Sequence, residues 1–170
     1  MLRVTKNKKD FIPVRHTANG VRLSFDYEPF YELDGGDKRE TDLATWTETI
    51  ITPKPTFQQA KTFILDYING RTTHSIESGF KWRDMSVWLS TENQFNYKAA
   101  YDFAVQTGGA NLPTVFKFGD TENPVYYKFD NLDDLTDFYT KAMTYVNEQL
   151  AIGWHKKDSI DWSAYEEALR

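Results

Sequence analysis

The sequence predicts an α+β fold: a β-rich N-terminal unit over residues 1–54, then antiparallel hairpins packed with three main helices over residues 55–170. Three observations carry this. Period-two alternation dominates the first third, apolar residues recur at helical spacing after Thr56, Thr91 and Asn131, and Gly or Pro clusters separate these stretches. The chain has 170 residues, 40% of them apolar, with 5 Trp, 10 Tyr and 12 Phe. That is enough large apolar surface for a core without covalent staples, and the same aromatic types are favoured where proteins touch one another.

The strands come first. Asn19-Gly20 is a two-residue turn signal between extended segments. After it Val21, Leu23, Phe25 and Tyr27 alternate with Arg22, Ser24 and Asp26, the pattern of a half-buried strand. Pro29 interrupts the alternation, and Phe30 to Leu33 continue on an edge. Asp34-Gly35-Gly36-Asp37 makes a turn. Ala44, Trp46, Glu48 and Ile50 then face one way, opposite Leu43, Thr45, Thr47, Thr49 and Ile51. Pro53 and Pro55 close the region as a stiff linker.

The helices follow. Thr56 and Gln59 have the spacing of a capping box, with Phe57, Ala60, Phe63 or Ile64, and Tyr67 or Ile68 behind them, and Asn69-Gly70 ends this helix. Phe80 to Leu89 reads as a small hairpin. Thr91 and Gln94 form a second capping box. In the helix they open, Phe95, Ala99, Phe103 and Gln106 lie along one line with Ala100 and Ala104 beside it, and the small residues let it sit close to a neighbour. Gly108-Gly109 stops it. Thr114, Phe116 and Phe118 mark a strand, and Val125, Tyr127 and Phe129 its return. Asp130 or Asn131 begins the longest helix, which Gly153 ends or frays. Ser163 and Glu166 cap a last short one.

Composition and motifs bound the chemistry. Cysteine is absent, which excludes disulfides, thiol catalysis and cysteine-held zinc or iron–sulfur clusters. The formal charge of -5 disfavours general nucleic-acid binding. No apolar stretch is long enough to span a bilayer, and the basic start MLRVTKNKKDF has no apolar run behind it, so neither membrane insertion nor a signal peptide is expected. The double glycine follows a helix rather than a strand and lacks a lysine, so it is no phosphate loop. His16, His74 and His155 share no motif.

Asp133 and Asp137 share a helix face, and Asp34 and Asp37 flank a Gly pair. Either pair suits calcium, but the first has the placement of charges that offset a helix N-terminus, and the second lacks EF-hand spacing. Glu28, Glu32 and Glu48 would serve sugar hydrolysis only if two of them straddle a bond. No catalytic residue, cofactor or metal site is assigned. Trp46, Trp88 and Tyr126 fall on the faces opposite the expected core, as partly exposed candidates for protein contact. The sequence leaves open whether they meet a partner or an extended core.

The stretches FKWRDMSVWLS, NQFNYKAAYD, VYYKF and LTDFYTKAMTYVN, over about residues 75–157, resemble a domain of unknown function found in bacteriophage and prophage proteins. That domain often lies beside or within tail-fibre and tail-fibre-assembly proteins. The resemblance implies that residues 55–170 are a phage-tail-associated domain. It further implies a non-enzymatic virion or tail component that acts through protein contacts in the particle or in the host cytoplasm during assembly. Its partners would be other phage structural proteins or a tail fibre, with self-association left open. A tail-fibre assembly chaperone is the alternative, and a carbohydrate-binding or hydrolytic module a more distant one. The resemblance brings no catalytic residues.

Overall fold

The computed structural model describes all 170 residues and has the α+β architecture expected from the sequence. It divides into two compact units. One comprises Met1–Ile68 with Lys156–Arg170, the other Asn69–His155.

The first unit is built on a four-stranded antiparallel sheet in the order β1-β4-β3-β2, from β1 (Leu2–Asn7), β2 (Val14–His16), β3 (Val21–Asp34) and β4 (Asp37–Ile51). Alternation decides its faces. Val21, Leu23 and Phe25 point to one side and are buried with Ala60, Ile64 and Ile68, which recur at helical spacing in α1 (Phe57–Gly79). Phe25 meets the Phe63 and Tyr67 rings edge-on, and Thr47 Oγ1 lies 3.2 Å from the Tyr67 hydroxyl. The short helix α4 (Trp162–Leu169) returns to this core through Tyr165 and Leu169. The Tyr165 hydroxyl donates to the Ser24 carbonyl at 2.5 Å, and burial pushes its pKa up.

Pro29 does not end β3. The strand runs on to Asp34, with register shifts between Phe25 and Glu28 and between Pro29 and Tyr31 that absorb the irregularity. Beyond the last pairs made by β1 and β2, the β3–β4 hairpin continues as a two-stranded arm. Its turn at Gly35 and Gly36 takes the positive φ that glycine tolerates.

The second unit surrounds an aromatic core. A two-residue hairpin, β5 (Lys81–Trp82) and β6 (Met85–Ser86), turns at Arg83 and Asp84. It places Trp82 against Phe118, Tyr127, Phe129 and Phe138, with ring centroids 4.8 to 6.1 Å apart. The hairpin β7 (Thr114–Gly119) and β8 (Pro124–Phe129) supplies three of those rings. The helices α2 (Thr91–Thr107) and α3 (Leu132–Asp158) supply Tyr97, Phe138 and Ala142. Burial lifts the Tyr97 hydroxyl to about 12.

Several element ends differ from expectation. The helix opened by Thr56 keeps its capping box, with the Gln59 amide N–H donating to Thr56 Oγ1 at 3.2 Å, but it runs through Asn69-Gly70 to Gly79. Gly70 keeps helical geometry, and a methyl there would meet open space. α3 likewise runs through Gly153 to Asp158. That glycine is buried where a side chain would collide with Thr72. α2 is capped by Ser90, whose Oγ accepts from the Asn93 N–H, and not by Thr91. α4 is capped by Asp161 rather than Ser163. Gly108 closes α2 at φ 60°, as predicted.

Candidate functional site

Trp46 is fully buried and corrects the expectation of partial exposure. The cause is local. Asn7 Oδ1 accepts from the Lys9 N–H and starts a 3-10 turn at Lys8–Asp10, which folds Phe11 back over the outer face of β4. Phe11 meets Trp46 edge-on at 5.5 Å, Tyr27 stacks beside it at 6.5 Å, and Lys6 Nζ lies 5.8 Å from its ring. The indole N–H donates to Glu48 at 3.1 Å. Burial pushes the Glu48 carboxyl up. The hydrogen bonds from Lys6 and Trp46, with the charges of Lys6 and Arg22, outweigh burial and hold it below the usual carboxylate range. Trp46 therefore packs a small second core on the outer face of the sheet.

Trp88 and Tyr126, both in the second unit, are exposed: 49% and 68% of their surface is open. Trp88 is turned outward because Val87 and Leu89 are turned in. Their amides are fixed to the Phe80 and Glu77 carbonyls, and Asn93 Nδ2 donates to the Trp88 carbonyl at 2.8 Å. Tyr126 faces outward by the period of β8. Across the ladder it pairs with Lys117, and the exposed Val115 pairs with Lys128, so this face of the hairpin mixes apolar and basic groups.

A third exposed aromatic group lies on α2. Its buried side is formed by Tyr97 and Ala104, with Ala100 and Tyr101 half-buried beside them. The line Phe95, Ala99, Phe103 lies opposite them, and its rings are 70% and 54% exposed. Periodicity alone does not separate these faces, because both are apolar at helical spacing. The Tyr97–Tyr101–Ala104 spacing was available as a signal for the inner face. On the arm of the first unit, Phe30, Tyr31 and Leu33 are exposed as well.

The carboxylates have other partners than those a hydrolase or a calcium site would use. Glu28 pairs with Arg3 at 2.7 Å and with Lys156 at 2.5 Å, and Glu48 with Lys6 at 3.0 Å. Glu32 and Asp34 line an open, polar hollow on the arm that contains neither of those two. Asp137 accepts from the Trp82 indole at 3.0 Å and from Lys141 at 2.7 Å, and these bonds hold its carboxyl below the usual range. Asp134 takes Arg83 and the Tyr127 hydroxyl, which raises the Tyr127 pKa. His16 Nε2 sits 2.9 Å from the Ala168 carbonyl, and His74 lies beside Ser78 in α1. No three His, Asp or Glu side chains converge as a metal ion would require.

The profile of a domain of unknown function (DUF4376) covers residues 59–169. No curated protein matches the chain. No solved structure matches it either.

Proposed function

The chain belongs to the DUF4376 family, and we propose that it acts through protein–protein contacts, as a non-enzymatic structural or interaction protein of a bacteriophage or prophage. The observation that carries the contact role is the set of exposed rings on the second unit: Trp88, Phe95, Phe103 and Tyr126. Phe95, Phe103 and Tyr126 are held outward by elements whose opposite side is packed, and Trp88 by the buried Val87 and Leu89 on either side of it, so none of them is a loosely placed core residue. Exposed aromatics of this kind favour burial against a partner, where they contribute most per residue.

The phage assignment rests on the resemblance of the segments FKWRDMSVWLS, NQFNYKAAYD, VYYKF and LTDFYTKAMTYVN to phage and prophage domains. In this reading the protein is a tail or virion component, located in the particle or in the host cytoplasm during assembly. Quantitative mass spectrometry of purified particles tests it. The intact chain at a fixed copy number per particle is the expected result. Its absence from particles, with the chain soluble in the lysate, contradicts the subunit role and favours an assembly chaperone.

A further inference from the structure

We propose that the outer face of α2 is a self-pairing surface that docks antiparallel against the same helix of a second copy of this chain. The inference rests on the contact role above but not on the phage assignment. Ala99 is the centre of the face. At about 100° and 1.5 Å per residue, Phe95 and Phe103 lie about 40° to either side of it and about 6 Å away along the axis in opposite directions. The order is large–small–large, and it is symmetric about Ala99.

That symmetry is what a twofold interface demands, since one patch must complement itself. With the twofold axis at Ala99, residue 95 of one helix comes level with residue 103 of the other. The two alanines meet at the centre and permit close approach, and the rings stand side by side at each end. Lys98 and Asp102, paired at 2.5 Å within one helix, come onto the same flank as their copies, where each lysine has the other copy's aspartate and the other copy's lysine at equal offsets along the axis, so this flank neither favours nor opposes the pairing. Glu92 comes level with Gln106 and not with a second carboxylate. A parallel pairing would instead set Phe95 level with Phe95 and Glu92 level with Glu92, two like charges about 20° from the centre line of the face.

The four rings, at their present exposure, bring on the order of 500 Å² into such a contact. This is below the size of a permanent interface, so the expected dimer is concentration-dependent. The absence of cysteine makes the test direct. A disulfide-linked dimer should form under mild oxidation from full-length Ala99→Cys, and far more slowly from Val105→Cys. Val105 is also exposed on α2 but lies about 120° round the helix from Ala99.

Sedimentation equilibrium of the unmodified chain should show a monomer–dimer equilibrium. The double change Phe95→Asp with Phe103→Asp should weaken it at least tenfold, with circular dichroism unchanged. A chain monomeric at all concentrations, equal cross-linking at residues 99 and 105, or an unaltered dimer in the double variant would each overturn the proposal. None of these results depends on whether the chain is found in phage particles.

Discussion

Asp26 shows how far a single residue can depart from its sequence pattern. Alternation along Val21–Tyr27 assigns it to the wet face of a strand. Its backbone instead takes φ 55° at the register shift after Phe25, and its carboxylate is only 3% exposed. There it accepts from Arg3 at 2.6 Å and from Lys156 at 2.9 Å, tying the first strand and the end of α3 to the bulge. An aspartate tolerates the left-handed region better than most residues, and an asparagine does so equally. Asp26→Ala should therefore cost about 2–3 kcal/mol, the usual penalty for orphaning a buried pair reduced by the partial exposure of both cations. Asp26→Asn should cost clearly less, because shape and backbone preference survive. Urea unfolding of the two variants checks this. Equal losses would mean that charge alone matters at the position. Nothing in the sequence marks this site, since its partners lie 23 and 130 positions away. Trp46 was misplaced for a related reason: the turn that covers it depends on a side-chain bond from Asn7.

At the scale of elements, alternation and helical spacing were legible wherever one face is packed. The strands around Val21–Phe25 and Thr114–Phe118, the capping box at Thr56 and the glycine stop at Gly108 all follow from local rules. Ends set by tertiary context were not. Asn69-Gly70 carries the local signature of a helix stop, yet packing on both sides of it keeps α1 intact through Ile76. Gly70→Ala tests the point. In a continuous helix with open space at the β-carbon, alanine should raise stability by about 0.5–1 kcal/mol. If the helix stopped there in a left-handed turn, the same change would lower the thermal midpoint. The caps at Ser90 and Asp161 lie one and two residues before the expected Thr91 and Ser163, and neither heads a capping-box pair, since Asn93 and Ala164 stand three residues on; only geometry selects the acceptor. The face of α2 was misread for a different reason: the helix is apolar on both sides, and the Phe95–Ala99–Phe103 line expected to pack against a neighbour is the exposed one, while Tyr97 and Ala104 are buried.

For the whole molecule, the α+β class could be read from the order of its patterns. The return of the C-terminal segment to the N-terminal sheet could not, because Tyr165 and Leu169 look like an ordinary short amphipathic helix until their neighbours Val14 and Leu23 are known. The exposed rings were half visible: Tyr126 follows from strand alternation and Trp88 from the apolar residues on either side of it, although it lies outside any strand, whereas Phe95 and Phe103 required the structure. Together they carry the proposed contact role, and side-chain oxidation footprinting tests it most directly. Labelling at Trp88, Phe95, Phe103 and Tyr126 would be compared between the dilute isolated chain and purified particles. The account predicts that at least two of these rings lose most of their labelling in the assembled state. Equal labelling of all four in both states would contradict it.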